Sequence, residues 1–103
     1  MLKTKIKIPP QDLEAERSVL GSLMLDKNAI LKVADFLKMT DFYHPHHQKI
    51  YESILDLFER GEPIHVLTVS NRLKQKKELK GVGGPDYLEE LVAAVPTSAH
   101  LSH

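Results

Sequence analysis

The sequence predicts an all-helical domain, a small orthogonal bundle of five to six helices, on three observations. Apolar residues recur every three or four positions in one segment after another, most clearly at Ile50, Tyr51, Ile54, Leu55 and Phe58. Prolines fall between those segments or at their first positions, and most glycines fall between them. Strand signal is poor, because the single β-rich stretch, Ile64 to Val69, overlaps a helical pattern.

Residues 1–11 read as an extended arm. Lys3, Lys5 and Lys7 alternate with Thr4, Ile6 and Ile8, and Pro9-Pro10 disfavour helix. The arm is either a frayed terminus or a strap across a neighbouring subunit, gripped by Leu2, Ile6 and Ile8. The helical head, residues 12–103, opens with a helix from Asp12 to Met24. Asp12 can cap it, and Glu14 and Glu16 sit at the positive end of its dipole. Leu13, Val19, Leu20, Leu23 and Met24 share one face, and Glu16 falls inside it.

A second helix, capped by Asp26 or Asn28, is expected to reach Lys38 on the stripe Ala29, Ile30, Val33, Ala34 and Leu37. Asp41-Phe42-Tyr43 then reads as a turn that plugs two aromatics into the core. Pro45 suits the first position of a third helix, where its missing N–H costs nothing. Asp56 and Arg60 are spaced as an i,i+4 ion pair on it, and Gly61 stops it. A fourth helix, Val66 to Lys77, carries Val66, Val69 and Leu73. After the Gly81–Gly84 loop, Pro85 opens a fifth, with Tyr87, Leu88, Leu91, Val92 and Val95 inward. Pro96 ends it. Thr97 or Ser98 caps a further helix of which only Ala99 to His103 remain, so the head is expected to be cut off as the next element begins.

Bulk composition narrows the function. The 103 residues make one domain. Lys plus Arg is 14 and Asp plus Glu is 14, so there is no general cationic surplus to displace counterions from nucleic acid. With no cysteine, disulfides, thiolate metal sites and cysteine nucleophiles are excluded. No run suits a membrane span or a secretory signal, and a cytoplasmic setting without a membrane partner is expected.

Four clusters invite chemistry. His44, His46 and His47 surround Pro45, but no HExxH pattern or cysteine joins them, and helical phase puts His47 at the centre of the apolar face. The expected role of His47 is structural, hydrogen-bonded to a carbonyl or hydroxyl, with no metal. Glu16 among leucines is costly to bury unpaired. Either it accepts hydrogen bonds from free N–H groups at another helix's start, or it lies at the rim or acts at a site. No second titrating group is identified for it, so no catalytic residue is assigned. Lys74, Lys76, Lys77 and Lys80 are either a solvated helix end or a docking patch. Gly81-Val82-Gly83-Gly84 is not a phosphate loop, since no Gly-Lys-Ser/Thr occurs, and no cofactor site is expected. Thr68-Val69-Ser70-Asn71-Arg72-Leu73 is similar to the recognition helix of some helix-turn-helix regulators, which gives the alternative reading of a DNA-binding domain.

Four segments in order carry a resemblance. They are Pro9-Pro10 with Leu13-Glu14-Ala15-Glu16 and Val19-Leu20-Gly21; Asp41-Phe42-Tyr43 with His47 and Ile50-Tyr51; Gly61-Glu62-Pro63-Ile64 with Leu67-Thr68-Val69-Ser70 and Leu73; and Val82-Gly83-Gly84 with Tyr87-Leu88, Leu91 and Pro96-Thr97-Ser98-Ala99. Together they resemble the N-terminal domain of DnaB-type replicative DNA helicases over residues 9–103. His65 departs from the pattern, standing where the family commonly has Asp as a helix cap, so that the fourth helix depends on Thr68 or begins elsewhere. The resemblance implies a non-catalytic collar module that supports a hexameric ring. Its implied partners are other helicase subunits, primase and a loader, with no sequence-specific DNA contact. ATP and Mg belong, on this resemblance, to a motor domain outside these residues. Leu31 and Met39, off the core stripes, and Lys74, Lys76 and Lys77 are the candidate partner contacts.

Overall fold

The computed structural model describes residues 12–96. The expected arm and the helix expected to follow Pro96 lie outside the described residues. Those described form five α-helices and one 3-10 turn, with no strand among them. The helices are α1 (Leu13–Leu25), α2 (Ala29–Val33), α3 (Pro45–Glu59), α4 (Val66–Gln75) and α5 (Gly84–Ala93), with the 3-10 turn at Met39–Asp41.

Local chemistry sets the helix starts. Asp12 Oδ1 accepts from the Ala15 N–H at 3.0 Å and caps α1. Asp26 Oδ1 accepts from the Asn28 N–H at 2.9 Å in a turn just before α2, whose N-cap Asn28 makes no side-chain cap bond. Pro45 is the first residue of α3. At α4 the Thr68 hydroxyl accepts from the His65 N–H at 3.0 Å and donates to the His65 carbonyl at 3.1 Å. The helix thus begins at Val66 through Thr68, without an acidic cap.

Two helices end the same way. After α3, the Glu62 N–H reaches back to the Leu57 carbonyl at 2.9 Å, with Gly61 at φ +71. After α4, the Glu78 N–H reaches the Leu73 carbonyl at 2.8 Å, with Lys77 at φ +61. Both are 6→1 closures around a left-handed residue. Lys77 is therefore the stop of α4 and not its last turn, as the sequence suggests.

Helix α2 is the larger correction. It stops at Val33 rather than Lys38. Side chains and short turns replace its ladder: the Leu37 carbonyl accepts the Tyr51 hydroxyl at 2.7 Å, and Asp41 Oδ2 takes the Lys38 N–H at 2.8 Å. Leu37 still buries, reached by an irregular turn.

Helix α1 packs on α3 and α5, and α4 packs on α3 and α5, so four helices enclose the core. Leu20, Ile50, Tyr51, Ile54, Val69, Leu73, Leu88 and Leu91 are fully enclosed. The α1–α5 crossing is set by Gly21, where a Cβ would lie 2.0 Å from the Leu91 carbonyl oxygen and 2.7 Å from Val95 Cγ2. Only glycine admits that approach.

Candidate functional site

The centre of the domain holds the two polar residues singled out in the sequence. Helix α1 presents Glu16 and α3 presents His47, and both are 0% exposed. Glu16 Oε1 lies 2.7 Å from His47 Nδ1. Glu16 also accepts from the backbone N–H of Tyr43 and, at 3.3 Å, of His44, just ahead of α3. His47 Nε2 meets the Tyr87 hydroxyl of α5 at 2.6 Å, and the two rings stack with centroids 5.9 Å apart.

The protonation pattern follows. Desolvation pushes the His47 pKa below its ordinary value, outweighing the neighbouring Glu16 carboxylate, so the ring is neutral at pH 7. A neutral imidazole donates once and accepts once. Nδ1–H then donates to Glu16, and Nε2 accepts from Tyr87. Burial raises the Tyr87 phenol pKa, with nearby Arg17 opposing, so its hydroxyl keeps the proton it donates. Three donors converge on Glu16, which offsets the cost of burying it. Glu16 and His47 are fully enclosed, and Tyr87 alone of the three is partly exposed. The arrangement locks α1, α3 and α5 together and holds the first turn of α3.

His44 and His46 are used locally. His44 Nδ1 accepts from the His46 N–H at 3.0 Å, and the two half-buried rings sit 4.5 Å apart. Among the described residues no group of three or more His, Asp or Glu side chains is placed to hold a metal.

At the surface the expectations divide. Leu31 is 65% exposed. Met39 leans on the core and is only partly accessible. Tyr43, expected inside, is 58% exposed, while Phe42 alone plugs the core, 5.1 Å from the Tyr51 ring. Phe42 has extended backbone, φ −89 and ψ 132, where successive side chains point to opposite sides, so only one of the two aromatics faces inward. Lys74 and Lys77 are exposed, but Lys76 is tied inside the molecule, 3.3 Å from Asp56 and 3.5 Å from Glu52. Asp56 pairs with Arg72 of α4 at 2.9 Å and not with Arg60. Burial alone would raise the Asp56 pKa; Arg72 and Lys76 together outweigh it and hold it below the usual value. Arg72 also donates to Gln75 at 3.1 Å, so the most basic side chain of the helix-turn-helix-like string is spent within the domain. Sequence reasoning missed Tyr87 as the His47 partner and the Asp56–Arg72–Lys76 cluster. Neither has a local sequence signal, because each joins separate helices.

The DnaB-like helicase N terminal domain family model matches residues 8–103. The chain belongs to that family. It is 47% identical over 95 residues to the replicative DNA helicase DnaB of Mycobacterium leprae, covering 92% of this chain and 16% of that protein. It is 42% identical over 97 residues to the replicative DNA helicase DnaB of Geobacillus stearothermophilus, covering 94% of this chain and 21% of that protein. The fold matches a crystal structure of the N-terminal domain of DnaB helicase from Mycobacterium tuberculosis, with a TM-score of 0.83 and 48% identity. That match covers 90% of this chain and 67% of the other. The chain thus spans about a fifth or less of the helicases it resembles, at their DnaB N-terminal domain. The all-helical architecture is that of the DnaB N-terminal domain.

Proposed function

We propose that this DnaB N-terminal domain is the collar module of a hexameric replicative helicase in the cytoplasm. It supports ring assembly and docks primase and a loader, while ATP, Mg and DNA are handled by a motor domain elsewhere in the protein. The observation that carries this reading is the family match over residues 8–103. The chemistry of the domain supports it. Its buried Glu16 and His47 are consumed by each other, by Tyr87 and by backbone N–H groups, whereas Leu31 and Leu67 stand 65% and 64% exposed. Exposed large apolar side chains of this kind are the raw material of protein contacts. Leu31, Lys74 and Lys77 are the proposed contacts. Met39 and Lys76 are engaged within the fold and contribute less.

The test compares a helicase carrying this domain with the same helicase lacking residues 12–96. Native mass spectrometry reads ring stoichiometry, and an affinity column reads primase retention. Loss of either on deletion is expected. A deleted protein that keeps hexamers and retains primase undiminished overturns the proposal.

A further inference from the structure

A shallow cup of about 310 Å³ opens where α4 ends, lined by Lys74, Lys77, Leu79 and Lys80. Its surface is mostly apolar, since lysine stems lie along apolar ground and keep their charge in water. Leu79 is half-buried against the core, and the three lysines are exposed. Among the described residues, no acidic side chain lines the cup. Glu78, the one acid between Lys74 and Lys80, lies 4.0 Å from Lys76 instead. Lys76 in turn is held by Asp56 and Glu52. A chain with no net charge thus gathers three cations around one apolar spot.

We propose that this cup is a docking site for an acidic peptide segment, one that carries an apolar side chain between carboxylates. Three observations select this occupant. The first is charge: three lysines and no acid complement a run of carboxylates, and Leu79 complements the apolar side chain among them. The second is the backbone of Lys77. It stands at φ +61, in the same 6→1 closure that α3 builds on Gly61. Glycine adopts that conformation without strain, and lysine does not. A lysine kept there, with its side chain on the cup, marks a site and not a stop alone. The third is the end of α4. Free carbonyls at a helix end repel anions. Here the carbonyls of Arg72, Leu73 and Lys74 accept the N–H groups of Lys76, Glu78 and Lys77 at 3.2, 2.8 and 3.0 Å, which blunts that repulsion. Nucleic acid is the poorer fit. The cup offers no aromatic ring for a base to stack on, and nearby Arg72 is spent on Asp56 and Gln75. The inference rests on the reading of Lys74 and Lys77 as contacts, and it names the chemistry of what they take.

The probe is a synthetic peptide of alternating aspartate and leucine, titrated into the isotope-labelled chain and followed by its amide NMR shifts. A patch this small supports weak, transient binding, so the titration runs to millimolar peptide. Saturable shifts centred on residues 74–80 are expected. The double variant Lys74→Glu with Lys80→Glu is expected to weaken binding about tenfold, and serine in place of the peptide's leucines about threefold. Lys77→Gly is the decisive variant. It should weaken binding about threefold while raising the urea midpoint, so that affinity and stability move in opposite directions. A Lys77 that served only to end α4 would leave binding unchanged, and that result overturns the proposal. So do the absence of saturable binding, or shifts centred elsewhere on the domain. Tighter binding of an oligothymidylate to the same lysines would give the patch to nucleic acid and overturn it too. Ring assembly and primase retention play no part in these readouts, so failure here leaves the collar reading standing.

Discussion

Glu16 takes three hydrogen bonds with no water contact, so its replacement has sharp consequences. In Glu16→Gln the new amide group turns donors toward donors, at the Tyr43 N–H or at His47 Nδ1–H. Unsatisfied buried groups cost about 1–3 kcal/mol each, and the urea midpoint is expected to fall by an amount in that range or above it. Tyr87→Phe removes one donor and keeps the ring, so a loss of about 1 kcal/mol is expected. His47 also gives a pH signature. Its folded pKa lies below the ordinary 6.5, so its contribution is complete above that value and is lost as pH falls through the folded pKa. Thermal stability is expected to drop between neutral and mildly acidic pH, at up to about 1.4 kcal/mol per pH unit from this group. His47→Gln should flatten that part of the profile; an unchanged slope would place the titration elsewhere. Helical phase alone marked Glu16 and His47 as polar residues on apolar faces. What it could not give was their pairing, because they stand 31 positions apart and meet only through the α1–α3 packing.

Between helices, the crossing of α1 over α5 and the two left-handed stops are the features most open to test. Gly21→Ala would push a methyl group into the Leu91 carbonyl, and overpacking of this sort costs about 1–3 kcal/mol. A lower melting temperature with unchanged helical content is expected. At α4 the stop is built with Lys77 where α3 uses Gly61. A non-glycine residue in the left-handed region carries about 1 kcal/mol of strain, so Lys77→Gly should raise the urea midpoint, while Gly61→Ala should lower it. Helices with regular stripes opened by an acidic cap or a proline, α1, α3 and α5, were legible to within a residue or two. Helix α2 was not, because its stripe continues past Val33 while its backbone does not. Leu37 keeps its phase in the sequence yet is delivered by a turn whose carbonyl answers Tyr51. The Asp56–Arg60 spacing misled for a similar reason. A neighbour one turn away competes with two cations on α4, and these surround Asp56 more closely.

At the level of the whole molecule, the order of four weak motifs was more informative than any one of them. Their sequence from Pro9-Pro10 to Pro96-Thr97 points to the same family as the match over residues 8–103. The surface was much less legible, because exposure depends on how the helices assemble; Tyr43 turned outward and Met39 inward. The chain has no Gly-Lys-Ser/Thr sequence to cradle phosphates, so millimolar Mg-ATP is expected to leave its melting temperature unchanged. A rise of several degrees would reveal a nucleotide site that the helices do not suggest.

Glu16 draws the amide protons of Tyr43 and His44 toward a carboxylate enclosed by three helices. Those protons can trade places with solvent deuterium only when α1 parts from α3. Tyr43 therefore joins a ring out in the water to an amide among the slowest to exchange, and its isotope uptake becomes a clock for the opening of the entire head.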